Sequence, residues 1–121
     1  MTTRWQKIAA EMFGTFCLVF TGTGSIVVNE LSGGAITHLG IALAFGLIVL
    51  VMIYSLGDVS GCHLNPAVTL GFFAARRFEG RLVIPYIASQ LAGAVLASAS
   101  LRLMFASSRT LGATNPVGAW A

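Results

Sequence analysis

Charge is the scarcest property of this 121-residue chain. Only 9% of the residues are charged, against roughly 25% in an ordinary soluble domain. The acidic residues are Glu11, Glu30, Asp58 and Glu79 and no others, while 56% of the chain is hydrophobic. The mean hydropathy is +0.86. Disorder is excluded, because it needs low hydrophobicity and many charges. A water-soluble globule is excluded too, since so short a chain cannot supply a polar shell around three long apolar runs. Cysteine is also sparse. Cys17 lies inside an apolar run and Cys62 in a loop bearing Gly and Ser, which is no disulfide framework. The net charge of +3 comes without a dense basic stripe and interleaved aromatics, so nucleic acid is not the partner. No nucleophile–base pair is visible, which argues against an enzyme. Asp58 and Cys62-His63 do not make a metal site, because neighbours on an extended segment point to opposite sides. No cofactor is expected.

What remains is a chain built for a bilayer. The first apolar run covers residues 8–28. At about 1.5 Å per residue it crosses a hydrocarbon core of about 30 Å. Arg4 and Lys7 precede it, as they would in a signal peptide. However, the run exceeds an h-region, Glu11 interrupts its start, and no small-x-small site closes it. It is therefore expected to stay as a membrane helix. The second run covers 36–56 and the third 82–105, with Pro85 expected in the first turn. The tail from residue 106 reads as a loop. Arg4, Lys7, Arg76, Arg77 and Arg81 fall on one side of the membrane, and Arg102 and Arg109 on the other. Five against two sets the N-terminus in the cytoplasm. Small residues repeat every four positions: Gly40 and Ala44, Ala42 and Gly46, then Ser89, Gly93 and Ala97. Such stripes let helix backbones approach closely and signify a bundle. Trp5 reads as an interfacial belt residue, and His38 as another residue at the interface.

The segment between the second and third spans is different. Asn65 is a preferred N-cap and Pro66 suits the first helical position, so a helix is expected over 66–75. Its length is about 15 Å, half a hydrocarbon core. Arg76 and Arg77 follow it and belong at a membrane surface. The helix start then lies near the midplane, reached by an extended segment over 57–64. Irregular backbone at that depth survives only against protein or a water-filled cavity. The expected geometry is a re-entrant loop and half-helix lining an aqueous path. A half-helix N-terminus there opposes cations and protons. Carbonyls of Gly61, Cys62, His63 and Leu64 offer a row of acceptors, and the Asn65 amide offers a donor. Water and small neutral solutes suit such a lining. The competing reading of Asn65-Pro66 is an ordinary amphipathic helix lying at the interface.

The string Ser60-Gly61-Cys62-His63-Leu64-Asn65-Pro66-Ala67-Val68-Thr69 resembles the first pore loop of the aquaporins, the major intrinsic proteins. Ala10-Glu11-Met12-Phe13-Gly14-Thr15-Phe16 is similar to that family's first helix with its buried Glu. Ala42-Leu43-Ala44-Phe45-Gly46-Leu47 resembles the second helix, and Tyr86-Ile87-Ala88-Ser89-Gln90-Leu91-Ala92-Gly93-Ala94 the third. Val51-Met52-Ile53-Tyr54 and Leu101-Arg102-Leu103-Met104-Phe105 look closest to the nodulin-26-like branch and its bacterial relatives. The resemblance implies an all-α membrane fold of three transmembrane helices plus a half-spanning helix, half of an aquaporin, over residues 1–121. It implies a component of a passive channel in a bacterial inner membrane. Asn65 would orient the permeant, and Phe45 would match a member of the narrow constriction. Gly61, Cys62, His63 and Leu64 would line the half-pore, with Val68 just beyond. Glu11 and Gln90 would brace the loop, Glu11 as a structural acceptor rather than a proton relay.

The departures from the family pattern bear on mechanism. Family members carry two inverted repeats, and this sequence shows one. Asn115-Pro116-Val117 lacks the Ala of a second signature, and the constriction arginine that follows the family's second signature has no counterpart here. Cys62 replaces a usual Ala, and Asp58 sits where His is common. Several arrangements remain open: an inverted copy, a separate chain supplying the other half, a truncated product, or a parallel homo-oligomer. A non-conducting structural fragment or assembly partner of a full-length channel is the alternative to conduction.

Overall fold

The computed structural model describes residues 2–114, so the Asn115-Pro116-Val117 reading lies outside the described residues. Among the described residues the regular structure is entirely helical. α1 spans Arg4–Leu31, α2 Thr37–Ser60, α3 Pro66–Ala74 and α4 Gly80–Met104. Three of them, α1, α2 and α4, are long and apolar enough to cross a membrane.

α1 begins earlier than the apolar run because its start is capped. Thr3 Oγ1 accepts from the Gln6 N–H, and Gln6 Oε1 accepts from the Thr3 N–H. This reciprocal pair satisfies two end donors and is worth about 1 kcal/mol. The far end of α1 closes through Gly33 and Gly34, both at positive φ, and the Gly34 N–H donates to the Asn29 carbonyl. Asn29 Oδ1 then accepts from the Thr37 N–H and fixes the start of α2.

α2 runs four residues beyond the expected span, through Gly57, Asp58, Val59 and Ser60. The extended stretch expected over 57–64 is thus confined to residues 61–64. A glycine inside a helix costs about 1 kcal/mol relative to Ala. That is less than the lost hydrogen bonds of a whole turn, and the extra turn delivers Ser60 to a buried partner. Gly61, at φ +86°, ends the helix in the left-handed region that glycine tolerates. α4 also starts earlier than expected, so Pro85 lies inside the helix, one turn deeper than the first turn.

Packing is dominated by α1, which lies against α2 and α4, while α3 rests on α4. Ser89, Gly93 and Ala97 are all buried in α4. A Cβ on Gly93 would collide with the Met12 carbonyl and crowd the Phe16 N–H, so this glycine sets the α1–α4 approach. The α2 stripe behaves differently, since Ala42 and Gly46 are exposed on this chain. Met52 and Ser60 are the buried residues of α2, and most of its apolar surface faces outwards. A bilayer accepts such a surface where water would not.

Candidate functional site

Glu11 sits two turns into α1 and is 0% exposed. Its Oε1 accepts from Ser60 Oγ at 2.7 Å and from the His63 N–H at 2.9 Å. Its Oε2 accepts from the Leu64 N–H at 2.7 Å and from Gln90 Nε2 at 2.8 Å. A carboxylate has only acceptor sites, and four donors from three separate segments fill them. Gln90 Nε2 also donates to Thr69 Oγ1 at 3.0 Å. Thr69 is wholly buried in α3, and its hydroxyl donates to the Asn65 carbonyl at 3.2 Å. One buried polar chain thus joins α1, the loop, α3 and α4.

The loop bends sharply to meet this carboxylate. Cys62 and Leu64 both have φ near +51°, outside the ordinary range of L-residues. Each costs of order 1–2 kcal/mol. The two charge-assisted bonds from the His63 and Leu64 N–H groups offset that cost. A trans peptide points its C=O opposite to its N–H. With the His63 and Leu64 N–H groups aimed at Glu11, the Cys62 and His63 carbonyls aim away from it. Those two oxygens accept no hydrogen bond from a protein donor among the described residues.

Asn65 completes the turn. Its side-chain Oδ1 accepts from the Ala67 N–H at 2.8 Å, and Pro66 occupies the first helical position. The expected cap and helix start are both present. α3 ends at Ala74 and is about 14 Å long at 1.5 Å per residue. Asn65 is exposed, as are Gly61 before it and Val68 in the first turn of α3, the latter 39% exposed. An open apolar recess lined by Val68, Gly71, Phe72, Ala75 and Arg77 runs along α3 from Val68.

The sequence candidates therefore separate into three groups. Gly61, Asn65 and Val68 are exposed and Cys62 is half-buried. His63 and Leu64 turn their side chains inwards. His63 is 8% exposed, and its ring stacks on Phe72 and lies against Phe78 and Tyr86. Its Nδ1 lies 3.1 Å from Thr69 Oγ1. Leu64 is buried against Gly14. Phe45 stands apart, its ring laid over Gly22 of α1. Gly22 lies about 16 Å along α1 from Glu11 at helical rise.

Sequence reasoning missed Ser60, Thr69, Phe78 and Tyr86. Tyr86 is fully buried, and its hydroxyl donates to the Ser60 carbonyl at 2.8 Å. Thr69 carried a weak signal, as the one polar side chain of an otherwise apolar half-helix. At the opposite end of α1, Glu30 Oε2 accepts from Ser108 Oγ and Thr110 Oγ1. Arg102 Nη1 donates to the Ser108 carbonyl and ties the following loop to α4.

The family described as Major intrinsic protein matches residues 1–119. The chain belongs to the major intrinsic protein family. It is 52% identical over 100 residues to Aquaporin NIP1-1 of Oryza sativa subsp. japonica, a match covering 83% of this chain and 35% of that protein. Putative aquaporin NIP4-1 of Arabidopsis thaliana is 57% identical over 100 residues, with 83% and 35% covered. Nodulin-26 of Glycine max is 48% identical over 100 residues, with 83% and 37% covered. The chain thus spans about a third of the length of these curated relatives. It is an integral membrane protein of a channel family, not an enzyme family. The relatives named are plant proteins, which argues against the expected bacterial membrane.

Proposed function

We propose that this major intrinsic protein chain forms one half of a passive channel for water or small neutral solutes. Residues 1–121 act as a single half-repeat in this reading. The observation that carries it is Asn65, an exposed amide capping the start of a half-helix that a buried carboxylate holds in position. A permeant on the open face meets the Asn65 amide and then the free Cys62 and His63 carbonyls. Donor and acceptors in series replace the hydration of a neutral molecule at each step. The α3 N-terminus directs partial positive charge at the same place and raises the barrier to protons and cations. His63 takes part through its backbone, since its ring is packed among aromatics. Val68 borders the path, and Phe45 narrows it farther along α2. Glu11 and Gln90 keep the loop rigid and have no contact with the permeant.

The open face is completed by a second half, either an inverted copy of this chain or a complementary chain. Clustering of Arg4, Lys7, Arg76, Arg77 and Arg81 at one end favours an N-terminus in the cytoplasm. Stopped-flow light scattering on proteoliposomes tests the reading. Water flux above that of empty liposomes, lowered by Asn65→Ala, is expected. Flux equal to empty liposomes at every protein density would exclude a channel made by this chain and its copies.

A further inference from the structure

The two ends of the molecule treat their cations differently. At the far end Arg102 is spent on the Ser108 carbonyl, and Arg109 makes no ion pair among the described residues. At the near end Arg4, Lys7, Arg76 and Arg77 make no ion pair among the described residues. The one acid beside them, Glu79, is already taken by Arg81, with Nε 2.6 Å from Oε2. That hydrogen bond, together with the Arg81 charge, holds the Glu79 carboxyl below the usual carboxylate range. The pair stays ionised and cancels its own charge, leaving the other four cations unneutralised.

These cations are gathered around two adjoining clefts of about 440 Å³ each. Lys7, Glu79 and Leu82 lie on the walls of both, so the clefts form one continuous depression. The conformation of Arg76 adds a second observation. The end of α3 closes by a 6→1 bond from the Arg77 N–H to the Phe72 carbonyl, with the Arg76 N–H on the Phe73 carbonyl. This closure wants glycine at its left-handed position. Arg76 occupies that position at φ +56°. A guanidinium is kept there in a backbone conformation that L-residues disfavour, and no acid among the described residues pairs with it.

We propose that this depression is a binding site for the phosphate of an anionic lipid headgroup. Its level in the membrane decides for lipid over a free anion. α1 and α4 begin here and α3 ends here. Trp5, 77% exposed in the first turn of α1, and Ile84, 79% exposed near the start of α4, offer apolar surface at this end of the bundle, where an acyl chain can lie. Basic pockets between transmembrane helices hold phosphate headgroups in this way, at about 1 kcal/mol per cation. The site is separate from the channel reading, and either stands without the other.

The test is lipid retention by the full chain in nanodiscs of equimolar phosphatidylglycerol and phosphatidylcholine, followed by mild detergent extraction and native mass spectrometry. Phosphatidylglycerol is expected to be retained over phosphatidylcholine. Lys7→Gln and Arg76→Gly are each expected to lower that enrichment roughly fivefold, the equivalent of one surface cation. Arg76→Gly suits the left-handed turn better than Arg, so its loss of lipid is not a loss of fold. Arg109→Gln, at the other end, is expected to leave retention unchanged. Equal retention of both lipids overturns the proposal, as does equal loss in Arg109→Gln. Displacement of the lipid by inorganic phosphate at matched concentration assigns the site to a free anion and also overturns it.

Discussion

α1 carries two carboxylates that each hold a distant loop, and they do so under opposite conditions. Glu11 is sealed from solvent and receives four donors, two of them backbone N–H groups. Glu30 is exposed and receives two hydroxyls. The bonds are similar in length, but their worth is not. In water a lost partner is replaced by solvent, whereas a buried donor left bare bears its full desolvation cost. Burial, not bond count, therefore makes Glu11 the fixed point of the molecule and Glu30 a fastening.

Substituting the two acids exposes that asymmetry most directly. Glu11→Gln turns an amide N–H₂ towards donors that need an acceptor. A loss of about 3 kcal/mol or more is expected in unfolding titrated with denaturing detergent and followed by circular dichroism. A loss below about 1 kcal/mol would mean that the loop is held by packing alone. Gly93→Val asks whether the helix approach or the carboxylate holds α4 in place. Its side chain meets the Met12 carbonyl, and about 1–3 kcal/mol should be lost in the same titration. Tyr86→Phe removes a single buried bond to the Ser60 carbonyl and keeps the ring against His63. About 1 kcal/mol is expected, with faster hydrogen exchange at residues 60–64. Glu30→Gln should cost no more than about 0.5 kcal/mol, because an amide oxygen still accepts from both hydroxyls, that of the buried Ser108 included. A cost there equal to that of Glu11→Gln would end the distinction between the sealed and the wet brace.

Much of this arrangement was legible in the sequence wherever a local rule applied. Asn65-Pro66 announced a helix start by cap chemistry, and the start is where the rule put it. Arg76 and Arg77 marked the other end of the half-helix. Glu11 declared itself by the cost of a charge in an apolar run, and the family resemblance paired it with Gln90. The partners of Glu11 were harder to read, because Ser60 and His63 lie 49 and 52 residues away. No periodicity reports such distances. The extra turn of α2 was hidden for a related reason. Gly57 and Asp58 look like a break, and only the buried bond of Ser60 repays helix there. The inward turn of the His63 ring was invisible too, since it depends on Phe72, Phe78 and Tyr86 arriving from two other elements. Phe45 shows the limit of apolar patterning. α2 is hydrophobic on every side, so its sequence does not reveal which face meets α1.

The span of chain between Glu11 and its last donor sets an order of assembly. Gln90 follows Glu11 by 79 residues, roughly 4–16 s of synthesis at about 5–20 residues per second. Until α4 arrives, the first helix holds an acid in lipid with one donor missing, and Thr69 lacks the amide that pins the half-helix. The dipping segment is thus the final piece to lock although it is made third. A ribosome pausing before Gln90 would leave it waiting, open to wrong partners in the translocation machinery.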